Sequence, residues 1–192
     1  MIHLTGSQGL EALFRDGAGP RRWMVLGAGG AGKSTLAAQL GRILKLPVVH
    51  LDVHYWRPGW VVPEPQVWDR QLLALVDEDE WVMDGNYGRT IELRLPRAEA
   101  VILLDPPTIQ CLWGAIQRGL ATPSTRRPDL ADGCSERPPS PDFLRYIANY
   151  KRKSRPRVFE KVSRFPEVPL IHLRSRRAAA RFLDGVAARV TQ

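Results

Sequence analysis

Short apolar runs rich in Val, Ile and Leu alternate along this chain with stretches whose apolar residues recur at helical spacing. That alternation is the pattern of βα units wound around a parallel sheet. Five runs have the length and composition of strands: residues 23–26, 48–51, 81–83, 100–104 and 169–173. The first four run into Gly27, Asp52, Asp84 and Asp105. A parallel sheet would set these residues at its carboxyl edge, where open α/β sheets bind their ligands. Four apolar stripes predict helices facing a core. They are Leu36, Leu40, Ile43 and Leu44; then Trp68, Leu72, Leu75 and Val76; then Ile109, Leu112, Trp113 and Ile116; and finally Ala179, Phe182, Leu183, Val186 and Val190, with Ser175 as a cap.

Two stretches follow neither period. Residues 1–20 read as an N-terminal extension, with a short helix at 7–14 and a break at 16–20. Residues 119–142 hold Pro123, Pro128, Pro138, Pro139 and Pro141, which rule out regular structure. A loop of that length inside a compact domain is functional or disordered. Flanked by Arg118 and by a basic helix starting at Phe143, it is read as a lid. The remainder, 21–192, is then one domain, as 192 residues lead one to expect.

Composition adds little until charge is mapped along the chain. With 44% hydrophobic and 25% charged residues the protein is of ordinary globular make-up. No apolar run nears the roughly 18 residues of a membrane span, and the N-terminus lacks the pattern of a signal peptide, so a cytoplasmic protein with no membrane partner is expected. Cys111 and Cys134 have no neighbours at metal-ligand spacing and predict neither a disulfide framework nor a zinc site. The net charge of +8 is concentrated between Arg118 and Arg164, where twelve Lys and Arg face five Asp and Glu; elsewhere sixteen face fifteen. Such a segment is expected to meet phosphates, of a nucleotide or of nucleic acid.

Residues 27–35 read GAGGAGKST. Gly27, Gly32, Lys33 and Ser34 complete the G-x-x-x-x-G-K-[ST] pattern after a predicted strand and before a predicted helix, which is the context a phosphate-binding loop requires. Glycine is needed there because the backbone must turn its N–H groups inward around phosphate oxygens, and a helix from Lys33 to Leu44 would aim its positive end at the same point. The expected ligand is ATP or GTP with Mg²⁺. It would be held by Gly27, Ala28, Gly29, Gly30, Ala31, Gly32, Lys33, Ser34 and Thr35, with Lys33 on the terminal phosphates and the Ser34 hydroxyl on the metal.

Transfer of a phosphoryl group also needs a metal anchor, an acceptor-orienting group and countercharge. Asp84 is the candidate to hold Mg²⁺ through water, and Asp52 the candidate to accept a proton or hydrogen bond from an acceptor hydroxyl. Asp105, followed by two prolines, is read as a helix cap. Arg94, Arg118, Arg155 and Arg157 are candidate phosphate clamps, since guanidinium groups make bidentate contacts. Tyr55, Trp56, Arg57 and Trp60 form an aromatic segment that would either stack an acceptor ring or cover the sheet edge. His50 and His54 flank Asp52 as packing and loop residues rather than as a metal site.

Taken together, the phosphate loop, HLD at 50–52, YWRPGW at 55–60, DGNY at 84–87, LRLPR at 93–97, LLDPP at 103–107 and SRPR at 154–157 resemble the adenylate-kinase-related proteins often labelled DNA topology modulation proteins. The resemblance covers roughly residues 22–184. It implies a three-layer α/β/α P-loop fold with five parallel strands in the order 2-3-1-4-5 and a lid. It places Asp84 and Gly85 near metal and acceptor, with Asn86 and Tyr87 beside them. It sets Arg118, Arg126, Arg127, Arg137, Arg155 and Arg157 around the phosphates, and Ser175 and Arg176 against the adenine. The activity implied is ATP-dependent phosphoryl transfer to a small acceptor, a nucleotide or nucleoside, by a monomer or homodimer. A polynucleotide 5′-hydroxyl acceptor, or a nucleic-acid-binding NTPase, is the alternative that the basic segment leaves open.

Overall fold

The structure, a computed structural model, describes residues 3–4, 10–11, 13–14, 19–120, 129–134 and 138–190. Residues 7–9 and 12 of the expected helix at 7–14, together with Arg126, Arg127 and Arg137, lie outside them, and residues 10, 11 and 13 are helical. The strands are β1 (His3–Leu4), β2 (Arg22–Gly27), β3 (Val48–His50), β4 (Trp81–Asp84), β5 (Ala100–Leu104) and β6 (Leu170–Leu173). The helices are α1 (Lys33–Leu44), α2 (Leu51–Tyr55), α3 (Pro65–Asp77), α4 (Ile91–Arg94), α5 (Thr108–Leu120), α6 (Pro141–Asn149), α7 (Arg155–Ser163) and α8 (Arg176–Val190).

All strand pairs are parallel, in the order β1-β6-β5-β2-β4-β3. The five expected strands keep the order 2-3-1-4-5, and His3–Leu4 adds a sixth at the edge by pairing with Leu170 and Ile171. The central strands β2 and β5 are covered on both faces. Successive side chains point to opposite sides, so Trp23 and Val25 join one core while Met24 and Leu26 join the other. In β5 the same alternation sends Ala100, Ile102 and Leu104 one way and Val101 and Leu103 the other. Helices packed over both faces complete three layers, an α/β/α arrangement.

Two readings of the sequence need correction. Strand β3 stops at His50, and Leu51 and Asp52 open the short helix α2 instead of ending the strand. In α5 the buried residues are Cys111 and Ala115, whereas Ile109 and Trp113 are 71% and 57% exposed. The small residues turn inward because α5 lies backbone to backbone on the phosphate loop. A Cβ on Gly30, whose φ is +72°, would come within 2.1 Å of the Cys111 carbonyl oxygen, and one on Gly114 within 2.5 Å of the Gly30 oxygen. Ile109 and Trp113 face outward, Leu112 and Ile116 are half-buried, and the four line a shallow groove with Leu144 and Ala148 of α6.

Between α6 and α7 the chain makes a π-helical turn, Tyr150–Ser154. Pro156, near the start of α7, cannot donate a backbone hydrogen bond and would clash with the preceding turn. A locally widened turn absorbs that mismatch and keeps the helix continuous.

Candidate active site

The carboxyl edge of the sheet holds the phosphate loop. Gly27 closes β2, and Gly32, in a left-handed conformation (φ 96°), caps α1 without any side-chain cap, so the first N–H groups of α1 keep their positive end open to a ligand. The Gly27 N–H donates to Asn86 Oδ1 at 2.9 Å, and Asn86 Nδ2 donates back to the Gly27 carbonyl at 2.6 Å. Asn86, expected beside the acceptor, thus also fixes the start of the loop. Lys33 Nζ donates to the Ala28 carbonyl at 3.1 Å, folding the side chain over the loop. Burial lowers the Lys33 pKa, working against the attraction of Asp84 and Asp52.

Two cavities meet at this loop. The first, about 470 Å³, is lined by the loop backbone, Ser34, Thr35, Gly114, Arg118 and Arg176. The second, about 620 Å³, holds Asp52, Asp84, Asn86 and Tyr87 on one side and Phe143 and Tyr146 on another. Lys33, Ser34, Arg118 and Asp129 border both. A γ-phosphoryl group entering from the first cavity would therefore reach the second between a lysine and an arginine.

The carboxylates are held by partners that sequence reasoning did not foresee. An ionised carboxylate only accepts, so His50 Nδ1–H donates to Asp84 Oδ1, at 2.6 Å. Burial by itself would lower the His50 pKa, but the hydrogen bond and charge of Asp84 outweigh it, and the net shift is upward. The Tyr87 hydroxyl donates to Asp52 Oδ1 at 2.5 Å, and burial followed by the Asp52 charge raises the phenol's pKa, keeping it a donor. Tyr87 and Trp60 both occupy left-handed backbone conformations, at φ 36° and 66°. Such conformations store strain and persist only where packing enforces them, and they cluster at functional sites.

Other candidates lie elsewhere. Arg94 is wholly buried, its guanidinium donating to the carbonyls of Gly85 (2.9 Å), Asn86 (2.5 Å) and Thr90 (3.5 Å). It therefore braces the loop after β4 from beneath and does not line the second cavity. Arg57 is exposed and contacts Gln71 at 3.4 Å. Tyr55 packs among Trp56, Trp68 and Tyr87, under the cavity wall. Arg155 Nη1 donates to Asp105 Oδ2 at 2.9 Å, and Arg157 is exposed on α7; neither lines these two cavities. Ser175 accepts from the Ala178 N–H at 3.0 Å, the cap expected of it, and of that pair Arg176 lines the first cavity. Asp105 caps no helix with its side chain, because it is the centre of a buried ion cluster.

Phe143, Tyr146, Gly114 and His50 were the residues missed. The aromatic pair carried a signal, two rings one turn apart just past the stretch read as a lid. His50 and Gly114 carried none, since their roles come from strand and helix neighbours distant in sequence.

No protein-family model matches the chain, and no curated protein is similar to it. Among solved structures, shikimate kinase from Acinetobacter baumannii in complex with shikimate superposes with a TM-score of 0.55 at 16% identity, covering 97% of both chains. Shikimate kinase from Bacteroides thetaiotaomicron aligns at 14% identity over 90% of this chain and 99% of its own, with a TM-score of 0.49. The Aquifex aeolicus enzyme aligns at 16% identity over 88% and 96%, with a TM-score of 0.47. With the sheet order and the phosphate loop, the first likeness shows the fold: a three-layer α/β/α P-loop fold, shared with that shikimate kinase. The narrower family drawn from the sequence finds no match among these comparisons.

Proposed function

We propose that this chain is an ATP-dependent phosphotransferase whose acceptor is a small hydroxyl compound of nucleotide or nucleoside type, working in the cytoplasm. The observation that carries this reading is the pair of adjoining cavities that share Lys33, Ser34 and Arg118, with Asp52 in the second. In the proposed step the acceptor oxygen bonds to the γ-phosphorus while the bond from that phosphorus to the β,γ-bridging oxygen breaks. ADP leaves with that electron pair, and the acceptor proton passes to Asp52. Tyr87 engages one Asp52 oxygen and leaves the other for the acceptor. Lys33 and Arg118 offset charge on the transferring group, and the loop and α1 N–H groups hold the β-phosphate.

Mg²⁺ fits the donors present. Ser34 and Asp84 supply hard oxygens at one cavity, and among the described residues no group of three or more His, Cys, Asp or Glu could hold a metal. A cation here would take most of its ligands from phosphate and water, the habit of Mg²⁺. When bound, the ion would neutralise charge on the β- and γ-oxygens. Asp84, oriented by His50, would hold it through water.

Magnesium titrations of two variants test the assignment. Asp52→Asn should lower turnover by ~10² to 10⁴ while leaving ATP binding and Mg²⁺ dependence as in the parent. Asp84→Asn should move the Mg²⁺ requirement upward. Identical profiles would remove the division of labour.

A further inference from the structure

The lining of the second cavity narrows the acceptor, if the phosphotransfer reading above is accepted. We propose that the acceptor is a ring-bearing alcohol with no anionic group, nucleoside-like rather than a monophosphate or a carboxylic acid. Five aromatic side chains, Trp56, Trp60, Tyr87, Phe143 and Tyr146, line it, with Leu130 beside them. Trp56 and Trp60 meet edge to face at 5.3 Å, and Phe143 and Tyr146 lie nearly parallel, 6.2 Å apart. Aromatic faces carry negative charge density, so they receive rings and repel anions.

The charged groups point the same way. Asp52 and Asp84 both border the cavity, and among the described residues its cations are Lys33 and Arg118. Both also border the nucleotide cavity, where the γ-phosphate needs them. Among the described residues, two of the arginines expected to clamp phosphate are engaged elsewhere: Arg94 by three backbone carbonyls and Arg155 by Asp105. A carboxylate or phosphate on the acceptor would thus be desolvated among rings and beside like charge. A neutral ring alcohol meets none of that opposition, and a space of about 620 Å³ suits one ring with its substituents.

The test uses the full chain and probes matched in shape but not in charge: para-(hydroxymethyl)benzamide against para-(hydroxymethyl)benzoate, and thymidine against thymidine monophosphate. Binding is followed by quenching of tryptophan fluorescence with a non-hydrolysable ATP analogue and Mg²⁺ present, and transfer by label moving from γ-labelled ATP. ATP affinity is measured separately with a fluorescent analogue. The neutral member of each pair should be preferred in kcat/KM by about tenfold or more, because a buried charge left without a partner costs at least a decade. Equal use of both members, or preference for the anionic one, overturns the inference while the phosphotransferase reading stands. If both members of both pairs fail although ATP binds, the ring-alcohol class is wrong. Loss of ATP binding as well would remove the reading beneath it.

Discussion

Asp105 is almost completely out of water, and three side chains converge on it: Arg155 at 2.9 Å, His172 at 3.0 Å and Lys151 at 3.3 Å. Burial alone would raise its pKa, but the hydrogen bonds from Arg155 and His172 and the charge of Lys151 reverse the sign and hold it below the ordinary value of 3.8. Burial keeps His172 below its ordinary 6.5, so at neutral pH it donates as the uncharged Nε2–H form. The cluster ties β5 to β6 and to the π-turn and α7. A carboxyl with a depressed folded pKa stabilises the fold above its unfolded value, and that stability is lost as pH falls through the folded value. Asp105→Asn should therefore lose about 1–3 kcal/mol at neutral pH, less than for a fully buried pair because Arg155 and Lys151 are each about a third exposed. Urea unfolding at stepped pH should show the gap between parent and variant closing below about pH 3.8. A gap unchanged from neutral to acid pH would mean that the ion cluster does not stabilise the protein.

At the scale of elements, the close approach of the phosphate loop to α5 makes loop geometry depend on a helix outside the motif. Gly114→Ala puts a methyl group within 2.5 Å of the Gly30 carbonyl oxygen, and backbone on both sides leaves little room to give. It should weaken ATP binding by about tenfold or more, since small displacements of phosphate-positioning groups are costly, while global stability falls by only about 1–3 kcal/mol. Isothermal titration with ATP and a denaturation curve on the same sample separate the two effects, and unchanged ATP affinity would contradict the packing argument. The same contact explains why α5 was misread. Its Ile109, Leu112, Trp113 and Ile116 have helical spacing, but backbone packing admits only small residues such as Cys111, Gly114 and Ala115, so Ile109 and Trp113 are left exposed and Leu112 and Ile116 only half-buried. Periodicity identifies a face, not what lies opposite it.

Over the whole molecule, the sheet order and the phosphate loop were legible because both rest on local pattern: apolar runs of strand length, and glycines followed by Lys33 and Ser34. The acceptor side was not, because it depends on which long side chains find partners far along the chain. Arg94 and Arg155 look alike in sequence, yet one is buried under carbonyls and the other bonded to Asp105. The basic segment shows the same effect. Lys151 and Arg155 pair with Asp105, Lys161 and Arg164 with Glu92, and Arg145 with Asp142, so much of its charge is balanced within the fold and is less available to track a polynucleotide. Among the described residues, Lys33 and Arg118 border both cavities, and the account stands on that junction. Its most direct test is transfer of label from γ-labelled ATP to thymidine by the parent and by Lys33→Ala, with ADP followed in parallel. Label should appear in the acceptor in step with ADP for the parent, and Lys33→Ala should fall by ~10² or more with its fold intact by circular dichroism. Equal transfer by the two proteins, or ADP release with no label in the acceptor, would contradict the account.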